Sequence, residues 1–371
     1  MRPEIIALQR QIIAANGLDA LIAVSPENFA WTAGFVVPSQ PILRWRHAIV
    51  VVKADGTYAV VCVDMEETTV RNRLPGVELR VWGEFEFNAM QTLAGLLSDM
   101  GLGAARIGIE MDYLPAGDYL ALRKALPAAK FTAAEQLFAR SRQLKTPEEI
   151  ALLRKLSRIA DSSITDAFAA VATGSTELDI AAAMTRGVYT QGGDQFRLMI
   201  VATGERSVFP NVGPTERKLR PQDVCRVEIF SMLNGYHAGV CRTAVVQSAP
   251  PNAERIWDNL VACKYLILDM IRPGASSRAI YEAFLKKLSE LDLPPISFVG
   301  HGIGLHLHED PYLGKCSDTP LEAGMVLGIE PLVYRTPYGF GMQLKDMVLV
   351  TDTGSELLSD YANTDKLQVV R

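Results

Sequence analysis

Apolar residues near the amino terminus recur at helical spacing, at Ile5, Ile6, Leu8, Ile12 and Ile13, until Gly17 stops the run. The apolar stretch LDALIAV (18–24) then predicts a buried strand. HAIVVVKADGTYAVVCV (47–63) reads as a hairpin turning at Asp55-Gly56, ARIGIE (105–110) as another short strand, and 114–127 as a helix. Strands alternating with helices through residue 140 describe a compact α/β domain. At ARSRQLKTPEE (139–149) the chain turns polar and enters a long helix through Thr146, a capping residue, and Pro147 at the first helical position. The boundary falls there, giving domains 1–140 and 141–371.

The second domain starts with helices at 147–173 and 177–191, then reads as strands at 223–232 and 235–247 joined by Asn234-Gly235, a strong hairpin signal. A helix at 251–271, closed by Pro273-Gly274, and one at 277–291 follow. MVLGIEPLVY (325–334) and MQLKDMVLVTD (342–352) read as a second strand pair around Tyr338-Gly339. Two helix pairs, each followed by a strand pair, point to an internal pseudo-duplication of an α/β (α+β) kind.

Composition narrows the class. At 371 residues, with 49% hydrophobic and 21% charged residues, the chain suits two soluble globular domains. A net charge of −5 and a pI near 5.7 argue against nucleic-acid or anionic-membrane partners. The amino-terminal MRPEIIALQRQIIAANG has no continuous apolar region of the signal-peptide kind, and no segment has the roughly 18–20 apolar residues of a membrane span. A cytoplasmic protein is expected. Five cysteines, scattered and without a C-x-x-C pair, suit reduced thiols.

The densest chemistry lies in VGHGIGLHLHEDP (299–311), which holds His301, His306 and His308, three of the five histidines, with Gly300, Gly302 and Gly304 letting backbone approach closely. His306 and His308 alternate as on one side of a strand. Elsewhere Glu228, between Val227 and Ile229, is a charge in an apolar strand and needs a partner. It can be a salt-bridge member, an acceptor for a cationic substrate nitrogen, or a carboxylate nucleophile. His301 has the residue type to take a proton from water and return it to a leaving nitrogen. Cys241 beside Arg242 is either a nucleophile or an inert buried thiol.

The ordered motifs VEIFSMLNGYHAGVCRT, GHGIGLHLHEDP, GMVLGIEP and GMQLKDMVLV resemble the creatinase, prolidase and aminopeptidase P superfamily, and NGLDALIAVSPENFAWTAGF resembles its smaller amino-terminal domain. The resemblance implies a pita-bread catalytic domain behind a creatinase-type α/β domain, in a homodimer whose small domain overhangs the partner's site. In the family's metal-dependent peptidases two aspartates, a histidine and two glutamates hold two ions. Those positions fall here on Glu228, Gly239, His301, Glu330 and Lys345. A peptide-contacting histidine falls on His308, and two others on Asn211 and Ser297.

Glycine brings no ligand and a protonated lysine repels a cation. The pattern therefore resembles metal-free creatinase and ectoine hydrolases, and implies no metal cofactor. It implies a metal-independent hydrolase of a guanidino, amidine or amide C–N bond in a small carboxylate-bearing substrate. His301 would activate water, Glu330, Glu228 and His308 would handle the polar end, and Lys345 would steady charge. Arg44 or Arg46, in PILRWRHA, would receive the carboxylate as in creatinase, with Asn211, Tyr236, Cys241 and His306 lining the site. One alternative is a metal-dependent Xaa-Pro dipeptidase or aminopeptidase with a single ion, such as Mn or Zn, at Glu228, His301 and Glu330. Another is a non-catalytic binding protein on the same fold.

Overall fold

Gly17, at a left-handed φ of +61°, ends α1 (Pro3–Ala15) and lets the chain drop into β1 (Ala20–Ala23), whose four residues are all buried. This computed structural model describes residues 1–371 and divides into two compact units, Met1–Ser141 and Arg142–Arg371. In the first unit, α2 (Pro26–Ala33) starts on the Ser25 hydroxyl and ends at Gly34. Next, β2 (Ile49–Lys53) and β3 (Tyr58–Val63) form the hairpin whose turn sets Gly56 at φ +91°. The unit continues through α3 (Glu67–Arg73), β4 (Glu78–Trp82), α4 (Ala89–Asp99), β5 (Arg106–Ile109), α5 (Ala116–Ala125), β6 (Lys130–Ala133) and α6 (Glu135–Gln143). Its sheet has the order β4-β3-β2-β1-β5-β6. Ile22, Ile49, Val51, Val61, Leu93 and Ile107 pack together in its core.

The second unit begins with α7 (Pro147–Ala170), opened by a reciprocal Thr146–Glu149 capping box, and α8 (Glu177–Thr190), opened by a Thr176–Asp179 box. They precede β7 (Gln195–Thr203), β8 (Val224–Leu233) and β9 (Tyr236–Val246). The β8–β9 turn sets Asn234 and Gly235 at φ +52° and +85°, the positive values that a two-residue hairpin demands. The second helix pair is α9 (Ala253–Met270) and α10 (Ser277–Glu290), the latter capped by the Ser276 hydroxyl. After it come β10 (Phe298–Gly302), β11 (Glu309–Gly314), β12 (Val326–Ile329), β13 (Leu332–Val333), β14 (Met342–Gln343), β15 (Asp346–Val350), β16 (Ser355–Leu357) and β17 (Gln368–Val370). Two large sheets result, β17-β9-β8-β7 and β11-β10-β12-β15-β16, beside the two-stranded β13-β14, so that a helix pair followed by antiparallel strands occurs twice.

Two local readings change. Residues 325–334 and 342–352 are not one strand pair. Pro331 has no N–H to continue the ladder, so β12 pairs with β15 in the large sheet while β13 pairs with β14 in a separate two-stranded one. Residues 303–308 are not a strand either, so the alternation of His306 and His308 does not put them on one strand face.

Arg242, on β9 and 1% exposed, ties these layers together. Its guanidinium pairs with Asp161 of α7 and Asp346 of β15, each at 2.8 Å, and donates to the Lys345 carbonyl at 2.8 Å. Asp161 in turn accepts from the backbone N–H groups of Tyr361 and Ala362. Arg242→Met leaves two buried carboxylates without their cation, and removing one partner of such a pair costs roughly 3–5 kcal/mol. Urea denaturation is expected to show that loss.

Candidate active site

Strand register brings four sequence-distant charges to one place. Glu228 lies in β8 opposite Cys241 of β9, and His301 lies in β10 opposite Gly328 of β12. Glu330 follows β12, its N–H donating to Val299 at 2.8 Å before Pro331 turns the chain away. Lys345 precedes β15 and exchanges backbone hydrogen bonds with Cys241, at 3.1 and 3.2 Å, so a single bridge joins β9 to the other sheet.

The Lys345 ammonium, 1% exposed, has three N–H donors and three acceptors: His301 Nε2 at 3.0 Å, Glu228 Oε1 at 3.2 Å and Glu330 Oε1 at 3.4 Å. Its Nζ also stands 4.5 Å from the centre of the Phe230 ring. Burial opposes the charge, but Glu330 and Glu228 outweigh it and hold the ammonium above its usual pKa. For Glu330 burial likewise works against ionisation. The nearby Lys345 ammonium prevails and holds its carboxyl well below the usual range.

His301 Nδ1 lies 2.8 Å from the Gly302 carbonyl, which can only accept, so Nδ1 carries the proton and Nε2 presents a lone pair. The exposed His308 ring stacks on His301 at 3.7 Å between centres. Desolvation against the residues it packs on, then the Lys345 charge, push the His308 pKa down to about 4, which leaves it neutral near pH 7. His301, His308 and Glu330 thus offer two imidazole nitrogens and a carboxylate oxygen, all within 4.8 Å of one another. This approaches the span of an ion with bonds of about 2.0–2.2 Å, and a donated second ring N–H is the usual support of a ligating histidine. The donor set fits a divalent ion of the zinc or manganese kind.

Side chains beyond the sequence candidates hold this arrangement. The Gln343 amide donates to Glu228 Oε2 at 3.2 Å and to Glu330 Oε2 at 3.0 Å, while its oxygen accepts from Arg226 at 3.0 Å, which fixes the amide's orientation. Arg226 also donates to the Ser207, Phe209 and Pro210 carbonyls and lies over the Tyr334 ring. Each stands two residues before a site residue, Arg226 before Glu228 and Gln343 before Lys345. That spacing, a polar residue two positions before a buried charge, is the signal that could have found them. The loop carrying His308 is pinned by Glu309, which binds Lys145 at 3.1 Å, Arg142 at 3.3 Å and the His306 N–H at 3.1 Å.

The remaining sequence candidates have partners of their own or are exposed. Arg46 makes two hydrogen bonds to Glu84, at 2.7 and 2.9 Å. Arg44 is exposed, donates to the Tyr113 carbonyl and lies over the Tyr113 ring. The Tyr236 hydroxyl is buried against Glu149, and Asn211 is exposed. Cys241 is buried with its sulfur 3.7 Å from the Gln343 carbonyl. Burial, followed by Glu228, pushes its thiol well above the usual value, so it is held protonated.

Comparison with known proteins decides the family. Residues 151–352, more than half of the chain, match the model of metallopeptidase family M24, and residues 6–144 match the creatinase/prolidase amino-terminal domain. The chain belongs to metallopeptidase family M24. It therefore belongs to a family of peptidases, hydrolases acting on C–N bonds, and its two-domain α/β architecture is the creatinase-type domain with the pita-bread domain. It is 29% identical to a Xaa-Pro dipeptidase of Lactobacillus helveticus over 264 residues, 70% of each chain. A Xaa-Pro dipeptidase structure from Bacillus anthracis superposes with a TM-score of 0.86 at 22% identity over 99% of both chains. An X-Pro aminopeptidase structure from Thermotoga maritima gives 0.85 at 19% identity, over 98% of this chain and 99% of that one. No helix is long and apolar enough to cross a membrane.

These findings correct the metal-free expectation. Reading Gly239 and Lys345 as the loss of metal binding gave His308 only to the substrate's polar end, whereas its ring lies on His301 and forms with it and Glu330 a candidate ligand triad. Metal independence, a degenerate metal site and the absence of a cofactor do not stand against that triad in a chain whose relatives include Xaa-Pro dipeptidases. The single-ion alternative of Glu228, His301 and Glu330 shares two residues with this triad, in which His308 stands in place of Glu228.

Two measurements check this geometry. For Glu309, burial raises the pKa, but Lys145 and Arg142 outweigh it and bring it down to about 2. A depressed carboxylate stabilises the fold fully above its unfolded pKa of about 4.5 and loses that contribution as pH falls towards 2. The stability difference between wild type and Glu309→Gln is expected to be on the order of 3 kcal/mol at pH 7 and to shrink between pH 5 and 2. Of the five free cysteines only Cys316 is exposed. A thiol reagent is expected to modify it alone in the native protein, and labelling of Cys241 would contradict its burial.

Proposed function

We propose that this chain is a metal-dependent peptidase of the Xaa-Pro dipeptidase or aminopeptidase type, working with one divalent ion such as manganese or zinc. The observation that carries the reading is the triad of His301, His308 and Glu330, two lone-pair imidazoles and an ionised carboxylate on an M24 chain. Support comes from relatives such as the Lactobacillus helveticus Xaa-Pro dipeptidase. An ion in such a site supplies an acidified water and polarises a carbonyl oxygen.

The chain's own groups do the rest. The Gly302 carbonyl keeps the His301 Nδ1 protonated and so directs Nε2 inward. Lys345 and Gln343 hold Glu330 and Glu228 in place through all four carboxylate oxygens. Glu228, which is not part of the triad, is the carboxylate available to relay a proton towards the leaving nitrogen. Lys345 supplies positive charge where an oxyanion develops. For a substrate carboxylate in a homodimer, Arg44 has donors to spare, whereas Arg46 is committed to Glu84.

Purified protein is expected to contain close to one ion per chain, to lose Xaa-Pro dipeptide hydrolysis on chelation and to recover it with manganese or zinc. His301→Ala should lower kcat/KM by more than about 100-fold, since even outer-shell partners of metal ligands cost 10–100-fold. Hydrolysis indifferent to chelators would sink the reading.

A further inference from the structure

Every oxygen of Glu228 and Glu330 already meets a donor of this chain, so a second ion between the two carboxylates would have to displace the ammonium. Glu228 Oε1 and Glu330 Oε1 face the Lys345 ammonium, and both Oε2 atoms accept from the Gln343 amide. Space is filled as well as charge. A Cβ added at Gly239 would lie 2.4 Å from Phe230 Cε1, so the Phe230 ring, over which the ammonium sits, occupies the room of any side chain there. On the other side a Cβ at Gly328 would lie 3.2 Å from Lys345 Cε and 3.4 Å from His301 Cε1, so that glycine seats the lysine stem and the imidazole together. One atom is contested. His301 Nε2, the nitrogen that an ion at the triad requires, accepts from Lys345 Nζ at 3.0 Å.

Resting on the single-ion reading above, we propose that Lys345 is the resident second cation of this site. It fills the pocket between Glu228 and Glu330 and competes with the triad's ion for His301 Nε2, while the Phe230 ring fills the space at Gly239, so the chain takes one divalent ion. A single lone pair cannot serve both, so an arriving ion displaces the ammonium, which retains Glu228 and Glu330 as partners. Lys345 thereby weakens ion binding both by occupying a ligand atom and by its charge in buried surroundings.

Calorimetric titration of manganese or zinc into chelator-stripped full-length protein tests this. Wild type is expected to take one ion. Lys345→Gln is expected to take one ion still, because Phe230 remains, and to bind it about tenfold or more tightly. Equal or weaker binding by Lys345→Gln overturns the proposal while leaving the peptidase reading intact. An ion bound by Lys345→Gln but not by wild type, or no ion in either, overturns the single-ion reading and with it the proposal. Wild-type crystals soaked in manganese give a second measurement that needs no variant. One anomalous peak at His301, His308 and Glu330, with Lys345 Nζ drawn off His301 Nε2, is expected. Two peaks, or one beside an undisturbed Lys345–His301 hydrogen bond, overturn it.

Discussion

A buried ammonium is tolerable only where acceptors meet every N–H, and the Lys345 environment satisfies that condition with an imidazole and two carboxylates. The rest of the site follows from this requirement. Glu228 and Glu330 are negative charges under the same obligation, and each meets it through the lysine and the Gln343 amide. The set is mutually dependent, so loss of one member strands the others. Because the partners come from β8, β10, the end of β12 and the start of β15, their pairing also fixes how the two sheets meet.

Arg242 plays the complementary part from behind. Its guanidinium accepts no hydrogen bond and must be surrounded by acceptors, which Asp161, Asp346 and the Cys241 and Lys345 carbonyls supply. It therefore anchors the backbone on which Lys345 is carried to a strand and a helix that precede it by many residues. Two adjacent residues of β9, Cys241 and Arg242, set where residues 345 and 346 lie.

The site's other half is built on a loop. Gly302 and Gly304 allow backbone and side chains to close in: a Cβ at Gly302 would stand 2.4 Å from the Asp310 carbonyl oxygen, and one at Gly304 would meet Glu309 and Lys145. Glu309 pins that loop through two cations, and the result is that His308 stacks on His301 and faces outward while His301 is buried. One imidazole is thus held by backbone and the other lies at the entrance, a division of labour that makes a neutral nitrogen accessible beside a buried one.

Much of the scaffold was legible in the order of residues alone. Hydrophobic spacing marked α1, the Thr146 cap marked α7, and Asp55-Gly56 and Asn234-Gly235 marked two hairpins, because those signals act within a few residues. Histidine density singled out 299–311, and Glu228, Glu330 and Lys345 stood out as chemistry in apolar surroundings. The break at Pro331, the placement of His308 and the partners that Gln343 and Arg226 would take, as distinct from their spacing, were not legible. Each depends on which strands pair and on where a loop without a repeat comes to rest, and those are set by contacts between residues far apart in the chain. A lysine's charge can be read from its letter. Whether a stacked imidazole still leaves an ion three ligands is decided only when β10, β12 and the 303–308 loop are packed against one another.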